Sequence, residues 1–280
     1  MKRLLLFLLL APVFFFSPAS AQAQNPTVVD LSVTRHGPQS GTLLIIGGGA
    51  MTPELWDCFV ERAGGKDARV VVITNASETG DTSWQRTLDT LSARIGAQNV
   101  TRMHLATIEE ANDDKLLKPL REATGIYFTG GRQWRIAEVY LNTKAHREMF
   151  KLLERGGVIA GSSAGASIQG SFLWRGDTRG AQHLIGDHTQ GLGFLKLSVI
   201  DQHILTRNRQ HDLAAFLAAA PEYIGIGLDE STAIEVQGDQ FTVVGKSYVA
   251  VHCKEFEKFI FLRRGQKFDL KNHQVIRRTQ

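Results

Sequence analysis

Three apolar runs in this chain each end in a turn of glycines and small residues, and that repeated pattern restricts the fold more than any other feature. Thr42 to Ile46 runs into Gly47-Gly48-Gly49, Ile126 to Thr129 into Gly130-Gly131, and Val158 to Gly161 into Ser162-Ser163-Ala164-Gly165. Strands that are apolar at every position have both faces covered, which is the habit of parallel strands with helices above and below. Helix-period segments fill the intervals. Thr52 and Pro53 open one, with Leu55, Trp56, Phe59 and Val60 on its apolar side and Gly64 as its stop. After a strand over Arg69 to Thr74, Trp84, Leu88, Leu91 and Ile95 mark a second helix closed by Gly96. A strand at Val100 to Leu105, an acidic helix from Glu109 to Leu117, and helices around Gln133 to Tyr140 and Ala145 to Arg155 complete the alternation. The expected fold class is α/β: a mostly parallel sheet with helices on both faces. Ligands of such sheets gather at the carboxyl ends of the strands, where all three turns lie.

From Thr232 onward the pattern changes. Ala233 to Val236, Phe241 to Val244, Tyr248 to His252 and Phe259 to Leu262 are short strands split by Gly238-Asp239 and Gly245-Lys246, which predicts an antiparallel meander packed on the sheet edge. No internal repeat or proline-rich linker interrupts residues 22–280, so they read as a single domain.

Residues 1–21 stand apart. Lys2 and Arg3, an apolar run from Leu4 to Phe16, and Ala19-Ser20-Ala21 have the order of a secretory signal peptide, and the run is short for a membrane span. The expected mature protein is therefore exported, secreted or periplasmic, with no membrane association. The formal charge is +4, of which Lys2 and Arg3 supply two, and no basic run suggests nucleic acid. Cys58 and Cys253 are the two cysteines; export permits a disulfide, and two buried thiols fit the pattern equally well.

Ser163 is the residue with the clearest chemistry. A serine on a tight strand-to-helix turn holds its hydroxyl clear of the backbone and leaves the next amide, that of Ala164, free for a developing oxyanion. It needs a base and an orienting acid. Val199-Ile200-Asp201-Gln202-His203 is a strand that carries His203 to the same edge, and Ile224 to Leu228 is another that ends in Asp229-Glu230. Ser163 is then the nucleophile, His203 the base, and Glu230 the acid, with Asp229 in competition, since neighbouring strand residues face opposite ways. The order Ser, His, acid differs from that of an α/β-hydrolase esterase, which would need the late His252 or His273. Both of those histidines read as surface or structural.

These segments resemble the cyanophycinase and peptidase E family of serine peptidases, most closely the cyanophycinase branch. The resemblance runs from about Gly47 to Tyr248. Its motifs are the Gly47 turn, Phe128-Thr129-Gly130-Gly131-Arg132-Gln133, Gly161 to Ala166, Asp201-Gln202-His203, Arg207-Asn208-Arg209 and Gly225 to Ala233. It implies a glutamine-amidotransferase-like fold, the triad Ser163, His203 and Glu230, and an oxyanion hole from the amides of Gly131 and Ala164. It also implies a substrate pocket lined by Gln133, Asp201, Gln202, Arg207 and Arg209. The implied substrate is cyanophycin or a related polymer, a poly-aspartate backbone with arginines on its side-chain carboxyls, released as β-aspartyl-arginine dipeptides. Arg207 and Arg209 suit carboxylates, and Asp201 or Gln202 suits the guanidinium. Where the family usually has Arg-Gly-Arg with a further arginine three residues on, this chain has Asn208 and Asp212. Two other readings share the framework: a peptidase E-like aspartyl dipeptidase, and an acidic-peptide-binding protein without turnover. No cofactor and no metal are expected. The polar stretch Trp174 to Gly193, with Asp177, His183, Asp187 and His188, reads as a lid or rim loop rather than a metal site. The sequence leaves the oligomeric state open, a homodimer included.

Overall fold

The computed structural model describes residues 35–78 and 80–277; the expected signal peptide, residues 1–21, lies outside them. The chain runs through β1 (Thr42–Ile46), α1 (Pro53–Arg62), β2 (Val70–Ile73), α2 (Gln85–Ile95) and β3 (Val100–Met103). Next come α3 (Lys118–Glu122), β4 (Gly125–Phe128), α4 (Gln133–Tyr140), α5 (Lys144–Glu154), β5 (Val158–Ser162) and α6 (Ala164–Ser167). Then follow β6 (Gly170–Phe172), β7 (Leu195–Gln202), α7 (Ala214–Ala219) and β8 (Ile224–Leu228). The last strands are β9 (Thr232–Gln237), β10 (Gln240–Gly245), β11 (Tyr248–His252), β12 (Ile260–Arg263), β13 (Lys267–Asp269) and β14 (Gln274–Ile276).

The strands form an α/β fold with two mixed sheets. In the nine-stranded sheet, ordered β14-β13-β10-β9-β1-β5-β4-β2-β3, the strands from β1 to β3 are parallel and the others antiparallel. The five-stranded sheet, ordered β12-β11-β8-β7-β6, is parallel across β6, β7 and β8. The C-terminal strands are antiparallel, as expected, and are shared out: β9 and β10 join the first sheet, β11 and β12 the second. The chain crosses at Gly245, whose φ of +109° no other residue adopts comfortably and whose Cβ would meet Ser231 O at 2.3 Å.

Alternation along the parallel strands builds two cores. Leu44, Ile46, Val70, Val72 and Tyr127 pack against Leu55, Trp56 and Phe59 of α1 and Leu91 and Ile95 of α2. Leu43, Ile45, Val71, Ile73, Ile126 and Phe128 face the other way, onto Leu120 of α3, Ile136 and Tyr140 of α4 and Met149 and Leu152 of α5. That core continues into Ile200, Ile224 and Ile226 of the second sheet.

The acidic helix expected over Glu109 to Leu117 is a short 3-10 turn, Glu110–Asn112, and the helix itself begins at Lys118. Asp113 Oδ1 accepts from the amide of Lys115 at 2.9 Å, a local turn that competes with helix, and Pro119 suits a first helical turn. Cys58 and Cys253 are free thiols; burial pushes them up to about 11 and about 12 respectively. No helix among the described residues is long and apolar enough to cross a membrane.

Candidate active site

Ser163 sits between β5 and α6 with φ 57° and ψ −110°, a conformation that costs a serine about 1–3 kcal/mol and persists only where the surroundings enforce it. The enforcement is local. The Ser163 amide donates to Ile46 O of β1 at 3.0 Å. A Cβ on Gly161 would lie 2.1 Å from Gly165 O, and one on Gly165 would lie 2.4 Å from Phe128 O, so no larger residue fits either place. The turn therefore aims the Ser163 hydroxyl outward at the carboxyl end of the sheet.

His203 and Glu230 arrive from the ends of β7 and β8. His203 Nε2 lies 2.9 Å from Ser163 Oγ, and His203 Nδ1 lies 2.5 Å from Glu230 Oε1. A carboxylate can only accept, so Nδ1 carries the ring proton and Nε2 is left to accept from the serine hydroxyl. The Gly47-Gly48-Gly49 turn holds this pair. The amide of His203 donates to Gly47 O at 2.9 Å and that of Ser231 to Gly48 O at 2.9 Å, which ties the ends of both sheets together. A Cβ on Gly48 would lie 2.3 Å from the His203 ring, and one on Gly49 would lie 2.7 Å from Glu230 Cβ. The imidazole and the carboxylate thus lie directly on bare backbone.

Burial holds the His203 imidazole below its ordinary pKa, with Arg207 and Arg209 adding to that and Glu230 opposing it. Of the two acids, Glu230 faces the histidine. Asp229 turns the other way and accepts from the amides of Leu205 and Thr206 at 3.1 and 3.0 Å, from the Thr206 hydroxyl at 3.1 Å and from the Ser247 hydroxyl at 2.7 Å. It braces the turn that follows His203, a role that the bare Asp229-Glu230 pair does not announce. Burial works to raise its pKa, and these hydrogen bonds outweigh that.

Gly131 has φ +136°, and a Cβ there would lie 2.1 Å from Ala76 O. The neighbouring Gly130 sits against Ser163, a Cβ placed on it lying only 3.5 Å from Ser163 Cβ. Among the described residues no protein acceptor takes the amide of Gly131 or of Ala164, the first residue of α6. Both donors are available to a reacting oxygen.

The expected substrate pocket divides. Arg207 lines a cavity of about 550 Å³ together with Ser163, His203, Trp56, Trp84 and Tyr127. Gln202 and Arg209 lie beside each other, Arg209 Nη1 being 3.4 Å from Gln202 Oε1, and neither lines that cavity. Gln133 and Asp201 are turned away from a substrate role. Gln133 is buried and its Nε2 donates to Trp174 O at 2.7 Å. Asp201 is wholly buried, and the chain's own Arg175 takes both its oxygens, Nε to Oδ1 and Nη2 to Oδ2, at 2.9 Å each. The Trp174 indole at 3.2 Å and the Gln202 amide at 2.9 Å use what acceptor capacity is left, so no site remains for a substrate guanidinium. Arg175 also reaches Asp212 Oδ2 at 2.5 Å, which accounts for an acid at that position. Burial works against the Arg175 charge, and its contacts with Asp201 and Asp212 more than offset it. The start of the polar stretch, with Trp174, Arg175 and Asp177 buried, is a wall behind β7 rather than a free lid. Among the described residues the metal-ligand types that converge are Cys253, Glu255 and His273; His183, Asp187 and His188 do not form such a group.

Residues 43–244 match peptidase family S51. The cyanophycinase of Synechococcus elongatus is 28% identical over 224 residues, covering 78% of this chain and 69% of that protein. The cyanophycinase of Trichormus variabilis is 29% identical over 236 residues, covering 81% and 78%. Among solved structures, a peptidase from an acI-B1 Actinobacterium aligns with a TM-score of 0.62 at 22% identity, over 84% of this chain and 98% of that one. A putative peptidase E protein from Listeria monocytogenes EGD-e aligns with a TM-score of 0.52 at 15% identity, over 74% and 99%. At those identities the two structures speak for the fold.

Proposed function

This chain belongs to peptidase family S51 and is a serine-type peptidase, and from that premise we propose that it cleaves cyanophycin or a related β-aspartyl-arginine polymer through an acyl-enzyme on Ser163. The observation that carries the reading is the relay of 2.9 Å from Ser163 Oγ to His203 Nε2 and 2.5 Å from His203 Nδ1 to Glu230. His203 Nε2 takes the hydroxyl proton as Oγ attacks the scissile carbonyl carbon. The oxygen that becomes negative is received by the amides of Gly131 and Ala164, and Glu230 stabilises the imidazolium. His203 then hands its proton to the leaving amine, the C–N bond breaks, and an ester to Ser163 remains. Water, deprotonated by His203, hydrolyses that ester and restores the serine.

Support for the substrate is of two kinds: two relatives bear the name cyanophycinase, and a cationic residue, Arg207, lies on the cavity beside the nucleophile. Each arginine branch of such a polymer ends in a carboxylate, which a planar guanidinium binds at two points. The reading includes export, from the signal-like order of residues 1–21.

The test is hydrolysis of purified cyanophycin beside α-linked Asp-X dipeptides, with release of β-aspartyl-arginine followed by mass spectrometry. Ser163→Ala should lower the rate on the order of ten-thousandfold or more with the fold intact. Release from α-linked dipeptides alone discards the polymer in favour of a dipeptidase. Full activity of Ser163→Ala discards the nucleophile.

A further inference from the structure

The cavity beside Ser163 has a second wall that the sequence did not announce. It is lined by Ser83, Trp84, Arg86, Thr87 and Thr90, from α2 and the turn before it. Arg86 belongs to α2 and Arg207 to the turn after His203, so two exposed arginines from different elements line the same cavity. The lining includes no aspartate or glutamate, and neither guanidinium forms an ion pair among the described residues. Asp89, three residues on from Arg86 and its natural local partner, is engaged instead by Gln85 Nε2 at 2.9 Å. Two cations around a recess of about 550 Å³ with no carboxylate of its own are a site for anionic groups from outside the protein.

We propose that Arg86 is a specificity-determining residue that binds a substrate carboxylate at the α2 wall of this cavity, distinct from the carboxylate met by Arg207. The enzyme then takes peptides that carry carboxylates on successive branches, one on each side of the scissile bond, and a peptide with a single acidic group engages half of the site. This rests on the serine-peptidase reading of Ser163 and deepens it by stating what the substrate must carry. Arg86 touches no reacting atom in this scheme. Its contribution appears in binding, and because the pair is partly solvated it falls as salt rises.

The test is a binding titration in the Ser163→Ala background, by calorimetry. The probes are a short β-aspartyl-arginine oligomer, the same oligomer with its arginine carboxylates converted to carboxamides, and an aspartate-rich α-linked peptide with its amidated counterpart. Arg86→Ala should weaken binding of the acid forms roughly fivefold and leave the amidated forms unchanged. Arg86→Lys should recover part of the loss, and 0.5 M salt should remove most of the difference between acid and amidated forms. Equal affinity of the parent and Arg86→Ala for every acid form overturns the role of Arg86. Binding of the α-linked peptide alone, still dependent on Arg86, keeps the carboxylate site and discards the cyanophycin reading. Absence of binding by any probe discards both.

Discussion

Two polar networks leave the carboxyl end of β7, two residues apart, and they have opposite characters. At His203 the chain of contacts is open: Ser163, His203 and Glu230 follow one another in line, and the first member ends at a cavity. At Asp201 the chain is closed: Arg175, Trp174 and the Gln202 amide fill every acceptor position, and Asp212 closes the far side of Arg175. Charge alone does not distinguish them, since each pairs a cationic or basic side chain with a carboxylate. What distinguishes them is whether a donor or acceptor remains unused at the substrate surface. An open network can move a proton, and a closed one can only hold a shape.

The largest effect that tests this contrast comes from removing an acid on each side. Glu230→Gln should lower kcat on the order of a thousandfold, because an amide no longer fixes the tautomer or stabilises the imidazolium, and the protein should melt as before. Asp201→Asn should do the reverse, with a lower melting temperature and a kcat changed only modestly. Rates and thermal melts of the two purified variants decide it. Equal losses of kcat would mean that Asp201 belongs to the catalytic relay after all.

The next effect is on stability. Arg175→Ala leaves the wholly buried Asp201 carboxylate without its cation, a change that costs about 3–5 kcal/mol in comparable sites. Unfolding in urea should move to lower concentration, and Asp201→Asn in the same chain should recover much of the loss by removing the stranded charge. A melt unaffected by Arg175→Ala would show that the cluster is solvated and that Asp201 is open to substrate.

The same contrast explains what the residues disclose before any coordinates. The Ser163 turn is written within Gly157 to Ser167, so small residues next to an apolar run reveal it directly. Its partners lie 40 residues or more away from the serine and are legible because each ends a strand in an acid or a histidine. Arg175 is different. It sits in a polar segment, and its acids lie 26 and 37 residues on, with no periodicity to link them. Gly48 is an intermediate case: the triple glycine is conspicuous, but its purpose, to let a ring lie on backbone, needs His203 in place. Nothing in the sequence singles out Arg86, whose place on the cavity wall depends on α2 packing beside Ser163. The acidic helix expected over Glu109 to Leu117 gives way for a local reason, since the Asp113 turn competes with it and the helix starts only at Lys118, with Pro119 in its first turn.

The smallest effect concerns the open network's acidity. In the proposed mechanism His203 works as a neutral base, so activity is present above its pKa and is lost as pH falls through it. Burial first, and then Arg207, hold that pKa below the ordinary 6.5, so the acid limb of kcat/KM should lie below pH 6.5. Arg207→Ala removes a cation that disfavours the imidazolium. The pKa then rises, and the limb should move to higher pH, more at low salt than at high salt. Glu230→Gln should move the limb the other way, because it removes the group that favours the imidazolium. The two limbs are measured by pH–rate profiles on a substrate without a carboxylate branch, so that binding by Arg207 does not enter. A limb that stays still in Arg207→Ala, or moves toward acid, would place Arg207 outside the field of the imidazole and leave it a binding residue only.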